Sequence, residues 1–376
     1  MPVPFPTAAT VNLQPPDADE VELLSRGVVS AMAPPTGITG LQRALVDAIV
    51  YEMTGYPVPR DLEPINPQEY AAGLARREES FRTRMVQMML LGALVLRPLP
   101  PVVADQVQAF ACELGVDERM LDVAREFAAG TLGLAALDFD RNGYTAEWLP
   151  EHQDALHTTT PLAEAWEQSC HDPELAARWC ALERLPEGTL GRRVADFYRA
   201  RGFIYPGLPG SAPPLLAQHD WVHVLADYGT KVESELEVFA FIARANDDPR
   251  AFSLLAMVVS LFETGYLRKG AGLFESSPGQ LSHQGVADRV ADAMRRGARC
   301  DGSTDFLAID WFELADLPLE EARRRFGLVE KSEHARAAGS VGPWEPGGIS
   351  EFQWRIGEEQ ARREDRPYEP YGASIS

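Results

Sequence analysis

Two histidines four residues apart, an aspartate directly after the first, and a glutamate twelve residues after the second form the pattern richest in chemistry: His219, Asp220, His223 and Glu235. On a helix turning about 100° per residue, His219, Asp220 and His223 fall within roughly a 100° arc. Both imidazoles and one carboxylate then point the same way. An i, i+4 histidine pair is the spacing that lets two ring nitrogens meet one divalent ion. A polar helix face without metal is the alternative for any such pair.

Glu235 cannot join the histidines on a continuous straight helix, where it would lie ~18 Å from His223 along the axis. The intervening residues supply a reversal. Asp227-Tyr228-Gly229 reads as a helix end with glycine in the left-handed position. Thr230-Lys231-Val232-Glu233 reads as a capping box opening the next helix. Two helices meeting at Gly229 bring His223 level with Glu235. Two carboxylates in the set would neutralise a divalent ion and make its burial tolerable.

The H-D-x-x-H pattern followed by eleven residues and E also resembles the signature of the Coq-four family of ubiquinone (coenzyme Q) biosynthesis proteins. The similarity continues upstream in Leu185-Pro186-Glu187-Gly188-Thr189-Leu190-Gly191-Arg192 and Ala195-Asp196-Phe197-Tyr198. Downstream it includes Arg295-Arg296-Gly297, Asp310-Trp311, Leu317 to Arg323 and Phe326-Gly327-Leu328. It spans roughly residues 160–330. The resemblance implies an all-α protein with a metal site at His219, Asp220, His223 and Glu235 and a cavity for a polyprenyl tail. It implies action on the ring-carboxyl carbon of prenylated hydroxybenzoate precursors, and in eukaryotes a link to assembly of a biosynthetic complex at the mitochondrial inner membrane. It favours zinc; mixed His/carboxylate ligation also admits iron(II) or manganese.

The elements that must position these residues read as helices throughout. Residues 1–20 are rich in proline and polar residues without periodicity and are expected to be disordered. Residues 21–145 form a helical domain. Leu41, Leu45, Ala48, Ile49 and Met53 keep helical spacing until Gly55; a long helix is expected from Pro67 to Leu96; Val103, Val107, Phe110, Ala111 and Leu114 make a third stripe closed by Gly115; Asp117 opens a fourth. This region resembles, weakly, the TerB-like helical domain of tellurite-resistance proteins, without the acidic residues between its central helices, and is read as a structural or interaction module. Residues 150–330 make the metal-binding domain. Within it, 202–214 is an irregular loop that could cover the site, 251–267 is apolar nearly all round and therefore buried, and 284–298 is another helix. Residues 331–376 are expected to be an extended or disordered tail.

Other motifs carry less. Asp138-Phe139-Asp140-Arg141-Asn142-Gly143 copies the first half of an EF-hand loop, but position 12 is Leu149 rather than glutamate, so it reads as a linker. His171-Asp172 has Leu175 where a second histidine would stand; Asp172-Pro173 reads instead as the start of a helix carrying Leu175, Ala176 and Trp179. His152 and His157 are five apart, a poor helical pairing.

The formal net charge of −21 over 376 residues argues against nucleic acid as a partner. Four scattered cysteines without C-x-x-C suggest reduced thiols in a cytoplasmic protein. No signal peptide is visible, and no apolar run reaches the ~20 residues of a membrane span; peripheral contact with a membrane's inner face stays open, as does homo-oligomerisation. Three functions remain in view. One is a metal-dependent decarboxylase or hydroxylase of a prenylated aromatic acid, its tail along 236–262. Another is a prenyl-lipid-binding scaffold of a quinone-biosynthesis complex with a structural metal. A helical stress or interaction protein centred on the N-terminal region is a third.

Overall fold

The computed structural model describes residues 16–371 apart from 117–119, 130–170, 213, most of 246–278, and 301–303. Among the described residues every regular element is helical and no strand occurs, so the chain is all-α. The EF-hand-like run, His152, His157 and Met257 lie outside the described residues.

The first group of helices is α1 (Ala18–Met32), α2 (Gly40–Thr54), α3 (Pro67–Gly73), α4 (Glu79–Leu94), α5 (Pro101–Leu114) and α6 (Met120–Ala128). Helix α1 thus begins inside the span expected to be disordered. Thr39 caps α2, its hydroxyl accepting from the Gln42 N–H, as such caps do. The Gln42 amide is itself buried and donates to the carbonyls of Met32 at 2.7 Å and Gly92 at 2.8 Å, stitching α1 and α4 onto α2. The expected long helix over 67–96 is broken between Gly73 and Glu79. A straight helix of that length would run ~45 Å and could not keep Tyr70 and Leu90 in one core, where both are fully buried. Arg77 stabilises the break by pairing with Glu20 at 2.5 Å and lying 4.3 Å over the Phe81 ring.

The second group comprises α7 (Pro173–Ala181), α8 (Leu190–Arg201), α9 (Pro214–Ala226), α10 (Val232–Ala245) and α11 (Val286–Ala298), then the short α12 (Leu319–Arg325) and α13 (Glu333–Ala337), and α14 (Glu351–Arg363). Asp172 caps α7, accepting from Leu175 N–H at 3.0 Å, as its sequence predicts. Helices α10 and α11 form the most extensive pair, and α2 packs on α11 from the first group. Gly297 permits the α10–α11 approach: a Cβ there would sit 2.2 Å from the Phe241 carbonyl oxygen. In the 251–267 segment, Phe252, Leu255, Ala256, Val258, Val259 and Phe262 are all buried.

The C-terminal tail departs from expectation. Rather than being extended or disordered, residues 331–371 fold back, with α14 packed on α8. Scattered aromatics suffice because polar side chains do much of the docking. Gln353 is fully buried and accepts from the Thr230 hydroxyl at 2.5 Å, and Trp344 packs edge-on against Phe197.

Candidate metal centre

Helix α9 carries His219, Asp220 and His223 on its inner face, and α10 carries Glu235 one turn from its start. All four are buried. The reversal between the helices is made differently from its sequence reading. Asp227, with φ 64°, takes the left-handed position that Gly229 was expected to hold. Aspartate tolerates this conformation better than most side chains, and its carboxylate is met by Lys331 at 3.4 Å. Gly229 is needed for another reason: a Cβ there would lie 2.7 Å from Gly348 Cα. Nor is Thr230 the cap of α10. The Lys231 carbonyl accepts the first amides, from Ser234 and Glu235, while the Thr230 hydroxyl serves Gln353 and accepts from Arg201 Nε at 2.9 Å.

The result is convergence of three donors. His219 Nε2 lies 3.3 Å from one Glu235 oxygen and His223 Nε2 3.3 Å from the other. Donors bound at ~2.1 Å around one tetrahedral ion stand ~3.4 Å apart, so this spacing fits an ion's coordination shell. His223 Nε2 is buried without a hydrogen bond among the described residues, an arrangement that a metal bond would satisfy. Its Nδ1 is 3.3 Å from the Tyr228 carbonyl. Nδ1–H donating there leaves Nε2 as the bare ligand nitrogen, the usual outer support of a metal-bound histidine. His219, His223 and Glu235 can therefore hold a metal ion.

Asp220 stands at the edge of this triad. One oxygen is 3.6 Å from His219 Nε2, and the other accepts from the Tyr198 hydroxyl at 2.5 Å. Burial raises its pKa, opposed by the two histidines and the Tyr198 hydrogen bond. Burial likewise acts upward on Glu235, but in the metal-free protein the neighbouring His223 and His219 imidazoles outweigh it and hold the carboxyl at about 2. Burial and the neighbouring Asp220 push Tyr198 well above its ordinary range, so its proton stays in place.

Two residues without a role in the sequence reading complete the surroundings. Tyr198 is one; its position within the quoted Ala195–Tyr198 run gave only family likeness. Arg201 is the other, fully buried, with its guanidinium 3.9 Å over Phe197, whose ring also stacks on His223. Burial lowers the Arg201 pKa to about 9 against the opposing pull of Tyr368, Asp220 and Glu235. Its side chain donates to the carbonyls of Pro343 and Gly348, both at 2.9 Å, fastening the tail beside the site.

The flanking segments of the family resemblance meet in space around α9 and α10. Leu190 N–H donates to Leu317 O and Gly191 N–H to Ala315 O, both at 2.8 Å. Arg296 donates to Ala226 O at 2.8 Å and Arg323 to Leu225 O at 2.9 Å, satisfying carbonyls that the end of α9 leaves open. Residues 202–212 of the expected loop are irregular, with Pro214 already in α9, and seat Tyr205 against Trp179 and Tyr198. No helix of the described residues is long and apolar enough to cross a membrane.

No family model matches the chain, and no curated protein does. Among solved structures, a candidate ubiquinone biosynthesis protein from Nostoc punctiforme PCC 73102 is similar at 24% sequence identity, over 56% of this chain and 97% of that one, with a TM-score of 0.33. A superposition at that score carries no argument about fold or function.

Proposed function

We propose that the chain is a metal-dependent protein of ubiquinone or related prenylquinone biosynthesis, acting on the ring carboxyl group of a polyprenylated hydroxybenzoate-type precursor. The observation that carries metal dependence is the convergence of His219, His223 and Glu235 at coordination spacing. The substrate class rests on the sequence resemblance. Three protein donors leave a coordination position open, the pattern of catalytic rather than structural zinc sites. A bound divalent ion, zinc by the resemblance and iron(II) or manganese by donor type, would supply Lewis-acid polarisation of the ring carboxylate and its neighbouring phenolate.

The chain's own residues do the rest. Tyr228 fixes the His223 ring through Nδ1, and Tyr198 fixes Asp220. The Tyr198 hydroxyl, which keeps its proton, donates a hydrogen bond to Asp220 Oδ2 at 2.5 Å and so holds that carboxylate beside the donors. The burial of all three donors, with side chains at most 4% exposed, favours a second reading: a non-catalytic prenyl-lipid scaffold with a structural metal.

The test uses metal-loaded protein, a prenylated hydroxybenzoate and oxygen, with products followed by mass spectrometry. Loss of the ring carboxyl in the wild type, abolished in His219→Ala, is the expected result. Tight binding without conversion, together with restored quinone synthesis by His219→Ala in a deletion strain, would establish the scaffold instead.

A further inference from the structure

A second site lies away from the metal donors, between the N-terminal helices and α10. It is a cavity of about 100 Å³ with almost wholly apolar walls, including Val28, Ile49, Phe81, Met88 and Met294. Two cations line it, Arg84 from α4 and Arg244 from the last turn of α10, and no carboxylate does among the described residues. Arg244 is 8% exposed, and no hydrogen bond, ion pair or ring face meets it among the described residues. Burial, and then the charge of Arg84, push its pKa well below the ordinary arginine range. A guanidinium taken out of water with no counter-charge is strongly unfavourable, and a second one at the same cavity adds repulsion. An anion would relieve both.

We infer that this cavity binds an amphipathic organic anion, a carboxylate or phosphate monoester on an apolar chain, with Arg244 meeting the head group. Arginine's fork of donors matches either oxyanion. The apolar wall takes the chain, and flexible methionines, among them Met53, Met85, Met88 and Met294, can shift to admit a longer one. The site is lined chiefly by residues 16–88, outside the segments that carry the family resemblance, and it does not depend on the metal reading.

The test is titration calorimetry and thermal shift on the full chain with decanoate, decyl phosphate, decanol and decylamine. Decanoate and decyl phosphate are expected to bind, one or both, at least tenfold more tightly than the neutral and cationic probes; their ratio distinguishes a carboxylate site from a phosphate site. Arg244→Met removes the cation while filling similar volume. It is expected to fold with an unchanged or higher Tm and to lose at least tenfold in anion affinity, whereas Met88→Trp obstructs the chain and weakens all four probes. Decanol binding as well as decanoate, an Arg244→Met protein that retains full anion affinity, or no binding at all would overturn the inference. So would binding seen only in a chain that begins at Pro16, which would make residues 1–15 the natural occupant.

Discussion

At the scale of single residues, the candidate metal centre depends as much on what grips the three converging side chains as on those side chains. His223→Ala or Glu235→Ala removes one of three ligands and is expected to abolish about one equivalent of bound divalent metal, read by elemental analysis, while helical circular dichroism persists. Tyr198→Phe tests the outer shell. It frees Asp220 from its 2.5 Å hydrogen bond and should weaken metal binding by roughly 10- to 100-fold, as losses of such partners do; unchanged affinity in a metal titration would show Asp220 and Tyr198 to be bystanders. Glu235 supplies a pH signature. Its folded pKa of about 2 lies below the ordinary 4.5, so its ionised form is favoured by folding. Its contribution to stability is present above pH 4.5 and is lost as pH falls toward 2. In metal-free protein the Tm difference between wild type and Glu235→Gln should therefore shrink over that interval, and a gap that stays constant would refute the assignment.

At the scale of elements, the crossing of α9 and α10 is held from outside by the tail. Thr230 N–H and Arg201 both bond Gly348 O, and Gly229 N–H bonds Val341 O. Ending the chain at residue 340 would leave the Arg201 guanidinium buried among lost partners. With charged hydrogen bonds contributing ~1.5–3 kcal/mol each, stability is expected to fall by about 3 kcal/mol or more in chemical denaturation, and metal affinity with it. A truncated chain as stable as the whole would show the tail to be an ornament. This element was the least legible in the sequence. Helical periodicity and turn residues placed α2, α5, α7 and α11 within a residue or two, and the i, i+4 histidines with a distant glutamate pointed to the cluster that converges in the fold. The tail's docking is written in isolated residues such as Gln353 and Trp344, which bury singly and leave no period to detect. The turn was misread for a related reason. Glycine at 229 signals a left-handed residue by local rules, yet its role is to admit Gly348, a contact 119 positions away that only the folded chain displays.

At the scale of the whole molecule, the sequence reads as an N-terminal helical region followed by a region carrying the candidate metal donors, yet the buried core runs across that boundary. Val46 and Ile49 of α2, Met89 of α4, and Val290 and Met294 of α11 belong to one continuous cluster. Helix α11 therefore has two main partners, α10 beside the candidate donors and α2 from the first group. A helix buried on both sides cannot lose one neighbour without exposing apolar surface, at ~25 cal/mol for each Å². Unfolding is thus expected to be a single transition in which both regions melt together. The chain offers a direct measurement, because all seven tryptophans, from Trp148 to Trp354, lie after the N-terminal helices. Tryptophan fluorescence follows only the later region, whereas far-ultraviolet circular dichroism follows both. Coincident denaturation curves by the two probes would make the regions one cooperative unit. If the dichroism change begins at lower denaturant than the fluorescence change, the N-terminal helices unfold as a domain of their own, and the α2–α11 contact is too weak to couple them.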